Sequence, residues 1–182
     1  MKESEENRTA IQRQFDLIGR RFIIFFISML FVPQNLFAFN SMDEIFPHEA
    51  VQIQMFLLEA AEMAVIKTDD EQIRRFSEEL IKFTGELNKK IEKLVMHYPK
   101  RKNIDPPVAL TEEQLKKMKK LEDASKEKFE QLFLESIKKT FDHLISVYRR
   151  ELKHGEYDPV LKFVSEHISR IEVYRRRAVA LT

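Results

Sequence analysis

The chain has 182 residues, 43% of them hydrophobic and 34% charged, with a net charge of +1 and no cysteine. That is enough for one domain with a real core. It excludes disulfides, thiolate metal sites and cysteine nucleophiles, and the balanced charge gives no case for nucleic acid as a partner, which needs an excess of Lys and Arg on one face.

The N-terminal segment comes first. Arg20 and Arg21 precede the apolar run Phe22 to Val32, Pro33 breaks it, and Ala38 follows. Basic residues, a short apolar run and a small residue make a secretory signal pattern, with cleavage after Ala38. Eleven apolar residues span only ~16 Å as a helix, short of a bilayer core of ~30 Å. Residues 1–38 are therefore read as a secretory signal peptide and 39–182 as the mature domain. An uncleaved anchor and a buried core helix are the alternatives. Residues 1–38 hold five basic and four acidic side chains, so the mature chain carries 26 of each sign and is neutral.

Helical spacing then predicts four segments. Helix one runs from about Asp43 to Lys67, with Phe46, Ala50, Ile53, Leu57, Ala61 and Ala64 as its inward stripe. The break is Thr68-Asp69-Asp70. Helix two runs from Glu71 to about Tyr98 on Ile73, Phe76, Leu80, Phe83, Leu87, Ile91 and Leu94. Pro99 and Pro106-Pro107 mark a loop. Thr111 with Gln114 opens the third element as a capping box. That element pauses near Asp123 to Ser125 and continues through Phe129, Phe133, Ile137, Leu144 and Tyr148, with Gly155 as its C-terminal cap. Asp158-Pro159 starts helix four, Asp as cap and Pro in the first turn. Two of the connections are short, so neighbours are expected to be antiparallel: an all-α, up-down-up-down four-helix bundle.

Few residues offer chemistry. Bundle metal sites use inward carboxylates and imidazoles, often as Glu-x-x-His; the one such spacing, Glu151 with His154, stands at the C-terminal end of the third element beside Gly155. His48-Glu49 has no second His at zincin spacing. His143 lies roughly 200° round the helix from Phe141 and reads as a solvated or boundary residue. His97 and His154 sit near helix C-termini. Glu166 and His167 are adjacent and cannot share a face. Glu59 and Glu62 neighbour each other on helix one but flank its apolar stripe. The three glycines are isolated, so no phosphate loop exists. No catalytic residue, metal or cofactor is expected.

The chain from about Asp43 to Leu181 resembles the ferritin-like domain-of-unknown-function family of bacterial envelope proteins, often labelled predicted outer membrane protein. The resemblance rests on Phe46, Ala50, Ala61, Ala64, Asp70, Ile73, Phe76, Leu80, Ile81 and Asn88. It extends through Phe129, Glu130 and Phe133, where the family usually writes Phe-Asp-x-x-Tyr, and through Leu161, Phe163 and Ile168. The resemblance implies a Glu in helix one and a His in each later helix. Those positions fall on Leu57, Thr84, Phe141 and Tyr174, none a good ligand, and the usual Pro of the last helix falls on Ser169. Counted from the junction of helices one and two, the four lie within a slab roughly 8 Å thick. That layer is expected to be apolar, with Phe141 filling space beside Thr84 and Gly85.

In the up-down-up-down arrangement the ends of helices two and four share a pole. Lys89, Lys90, Lys93, Lys100, Arg101 and Lys102 would gather there with Arg170, Arg175, Arg176 and Arg177. Helix-dipole complementarity accounts for such a layout; the sharper expectation is contact with an anionic membrane surface through Lys100, Arg101, Lys102, Arg175, Arg176 and Arg177. The expected function is that of a non-enzymatic, periplasmic or secreted bundle acting through its surface on a protein partner or a membrane. The alternatives are a ferritin-like metal-binding or oxidoreductase-type envelope protein, and an inner-membrane-tethered module.

Overall fold

The computed structural model describes residues 41–98 and 107–182. They form five α-helices and no strand: α1 (Ser41–Lys67), α2 (Glu71–Val95), α3 (Glu112–Glu122), α4 (Lys126–His154) and α5 (Asp158–Ala180). The signal segment read at residues 1–38 lies outside the described residues, as do Lys100, Arg101 and Lys102. None of the described helices is long and apolar enough to cross a membrane.

The apolar stripes build the core. Phe46, Ala50, Ile53, Leu57, Ala61 and Ala64 of α1 are buried, and so are Ile73, Phe76, Leu80, Phe83, Leu87 and Ile91 of α2. Local capping sets where the helices begin. The Asp70 carboxylate accepts the backbone N–H groups of Gln72 at 2.7 Å and Ile73 at 3.1 Å, satisfying donors the first turn cannot pair. Thr111 and Gln114 form the capping box that opens α3. The start of α5 departs from the sequence reading. Asp158 is the first helical residue rather than the cap, and the N-cap residue Tyr157 supplies no capping side chain. The N–H groups of Glu156 and Tyr157 instead donate to the Asp43 carboxylate, at 3.2 and 3.1 Å, from the far end of the sequence.

Helix directions follow from the contacts between pairs. Tyr98 reaches Asp43 while Arg74 reaches Val65 and Thr68, so α2 runs opposite to α1. Arg150 pairs with Glu49 and Thr68 bonds Glu130, so α4 also runs opposite to α1. Arg175 pairs with Asp142 and Arg149 with Glu172, so α5 runs opposite to α4. Arg177 pairs with Glu79 and Lys90 with His167, so α5 runs opposite to α2 as well. The order of directions among the four long helices is therefore up, down, down, up. This corrects the expected up-down-up-down order.

The cause is the pause at Asp123 to Ser125. It is a reversal, not an interruption. Gln52 bonds Gln114 while Lys67 bonds Leu121 and Ala124, so α3 runs alongside α1 in the same direction. The chain then turns, and α4 starts beside Asp69, which Lys126 meets at 3.2 Å. The stretch between α2 and α4 thus carries the chain back along the length of α1.

Candidate functional site

Three places in the described chain bring unusual side chains together: a layer across the middle of the long helices, a cluster at the pole where α1 begins, and a cleft beneath α3.

The middle layer holds the four positions named from the family resemblance. Leu57, Thr84, Phe141 and Tyr174 are all buried. The pairings of α1 with α4 through Glu49–Arg150 and Thr68–Glu130 bring Leu57 level with Phe141. The pairings of α2 with α5 bring Thr84 close to the level of Tyr174. The four share a layer although α5 runs in the direction opposite to the one expected. Tyr174 stacks on Phe83 at 4.3 Å between ring centres and lies 6.4 Å from Phe141. Its hydroxyl donates to the Glu79 carbonyl at 3.4 Å, on the rim, and does not turn toward Thr84. The Thr84 hydroxyl folds back on its own helix, to the carbonyls of Leu80 at 2.8 Å and Ile81 at 3.1 Å. Gly85 is not demanded by packing: a Cβ built there meets nothing within 4 Å. Among the described residues no three His, Asp or Glu side chains converge closely enough to hold a metal ion.

The pole cluster was not read from the sequence. Pro47 sits inside α1 and has no N–H to give the carbonyl of Asp43, one turn earlier. The Tyr98 hydroxyl fills that place, donating to the Asp43 carbonyl at 3.0 Å. Tyr157 packs edge-on against Tyr98 at 5.5 Å. The Asp43 carboxylate ties down the start of α5, and Glu151 near the end of α4 is held against it. Both acids are buried, at 0% and 2% exposure. Desolvation first, then the hydrogen bond and the charge of Asp43, push the Glu151 carboxyl up to about 8. Gly155 is where it is because of this acid: a Cβ there would stand 2.5 Å from Glu151 Oε1 and 2.8 Å from the Glu151 carbonyl. Its φ of −69° needs no glycine, so space rather than backbone conformation selects it.

The cleft lies between α1, α3 and α4 and encloses about 590 Å³. α3 is strapped to α1 at both ends. Gln52 and Gln114 exchange side-chain hydrogen bonds at one end, Gln52 Nε2 to Gln114 Oε1 at 2.7 Å and Gln114 Nε2 to the Gln52 carbonyl at 2.9 Å. At the other end the Lys67 ammonium donates to the carbonyls of Leu121, Glu122 and Ala124 at 3.0, 2.6 and 3.2 Å. A cation there meets the carbonyls left open where α3 ends. Between the straps the cleft is walled by Ile53, Phe56, Leu121 and Leu132 and rimmed by His48, Lys117, Lys120, Lys139 and His143. Its two acids are already paired: Glu113 with Lys117 at 2.7 Å and Glu49 with Arg150. Lys120 and Lys139 make no ion pair with any described residue.

The remaining candidates are scattered. His143 is exposed and Phe141 buried, on opposite sides of α4 as the spacing implied. His167 is buried, stacked on Phe163 at 4.5 Å and bonded through Nε2 to Lys90 at 2.9 Å. Burial, then the charge of Glu62, raises the Glu59 carboxyl above its ordinary value. Among the described residues the expected basic pole does not come together. Because α2 and α5 are antiparallel, Lys90 lies by His167, whereas Arg177 lies by Glu79 toward the start of α2. Arg175 and Arg177 are engaged with Asp142 at 2.7 Å and Glu79 at 2.5 Å, and Arg176 is exposed.

Comparison with curated proteins and with solved structures returned no match. The model of the family described as Domain of unknown function (DUF4142) matches residues 34–181, most of the chain, and the protein belongs to that family.

Proposed function

We propose that this protein is a non-enzymatic, periplasmic or secreted bundle of four long helices that works by binding at its surface, with a metal-free middle layer. A ferritin-like arrangement is part of the reading, and the helix order supports it: up, down, down, up with one long crossover is the connectivity of ferritin-like bundles. The observation that carries the functional reading is the aromatic stack Phe83–Tyr174–Phe141, with Thr84 bonded to its own helix. A bundle that grips a cation from within needs inward carboxylates or imidazoles at such a level; here rings fill the space.

The test is elemental analysis of the purified mature protein, with the mass of its N-terminus. Expected are iron, manganese and zinc far below one atom per chain, and a first residue of Phe39. One metal atom per chain, retained on dialysis, would overturn the metal-free layer. An intact segment 1–38 would replace the secreted protein by a membrane-tethered one.

A further inference from the structure

We propose that the cleft beneath α3 is a binding site for a single-chain anionic amphiphile: one carboxylate or phosphate head on a hydrocarbon body. The assignment rests on the reading of this protein as a binder rather than a catalyst, and it names what is bound.

Volume excludes the smallest candidates. At about 590 Å³ the cleft lies in the range of small-molecule sites and is far larger than an inorganic anion needs. Charge selects the sign of the head. Glu49 and Glu113 are neutralised by Arg150 and Lys117, leaving Lys120 on α3 and Lys139 on α4 as ammonium groups that pair with no described residue, on opposite walls. A head between them is held by charge-assisted hydrogen bonds from two helices. The walls select the body. Ile53 and Leu132 present hydrocarbon, extended by the aliphatic stems of the lysines. Three of the uncharged polar side chains that line it are engaged: Gln52 and Gln114 bond each other, and Thr140 bonds the Ser136 carbonyl at 2.8 Å. A ligand that is polar throughout would find few partners there, and a neutral one would leave the two ammonium groups unanswered. Entry is built in, because Leu121 is the one buried side chain of α3. The roof can lift without breaking the core.

Calorimetric titration of the purified chain, below micellar concentrations, tests this with four probes: dodecanoate, dodecyl phosphate, dodecyl maltoside and inorganic phosphate. Dodecanoate and dodecyl phosphate should saturate at one per chain, the tighter of the two naming the head group. The maltoside and inorganic phosphate should bind at least about tenfold more weakly, and so should both amphiphiles to the Lys120→Glu, Lys139→Glu double variant. Both lysines are exposed, so circular dichroism of that variant should match the parent. Equal affinity for the maltoside, equal affinity for bare phosphate, indifference to the charge reversal, or no amphiphile binding would each overturn the assignment. Mass analysis of the recovered ligand separates the two readings. A chemically altered ligand would break the non-enzymatic reading and leave the cleft as the site. Absence of binding would remove the cleft and leave the metal-free reading standing.

Discussion

The middle layer and the pole of α1 are both buried, yet they are held by different physics. In the layer, Phe141 and Tyr174 stack ring on ring with Leu57 buried at the same level, and Thr84 satisfies its hydroxyl within one turn of its own helix. At the pole, Asp43 and Glu151 are buried ionisable groups, and the backbone of α5 depends on one of them. Buried acids in a helical protein invite a functional reading. Here the Asp43 carboxylate takes the backbone N–H groups of Glu156 and Tyr157 and Glu151 is held against it, so the pair joins segments that lie more than a hundred residues apart in sequence. The position that looks catalytic by burial is a clasp, and the position inherited from the family pattern is packed with rings.

That contrast can be broken by size, by pH and by backbone. The largest effect is expected in the layer. Phe141→Ala should lower the unfolding free energy by ~3–5 kcal/mol, by about the same amount at pH 5 and pH 8, measured by urea denaturation. A strong pH dependence of that loss would mean the layer is not purely apolar.

The pole should behave in the opposite way. The folded-state pKa of Glu151, about 8, lies above its unfolded value of 4.5. The native state therefore holds a proton that the unfolded state releases. The stabilisation is complete below about pH 4.5 and is lost as pH rises toward 8, at up to ~1.4 kcal/mol per pH unit. Glu151→Gln, neutral throughout, should remove that decline. An unchanged pH profile would show that Glu151 ionises normally in the fold.

The smallest effect is at Gly85, where a Cβ meets open space in mid-helix. Gly85→Ala should raise stability by ~0.5–1 kcal/mol. A loss instead would mean the glycine serves close packing in the layer after all.

Much of the fold is legible locally. The stripe of α1, the Asp70 stop and start, and the Thr111–Gln114 box are each written within a few residues, because spacing and caps are short-range physics. The helix directions are not. Asp123 to Ser125 looks the same in sequence whether the chain pauses or turns back. What decides is the Lys67 ammonium reaching the carbonyls of Leu121, Glu122 and Ala124. Asp158 is the only local Asp that could cap α5, whereas the acceptor, Asp43, belongs to another helix. The cleft is invisible for the same reason: its lysines and its hydrocarbon come from three helices.

α3 is bound to the rest of the molecule by straps at its ends, by buried Leu121 and by partly buried Met118. Four long helices can therefore stay folded while α3 swings away. Its amide protons should trade with solvent deuterium well ahead of those in α2 or α4, and anything that fastens the strut down would slow that trade without touching the global melting point in proportion.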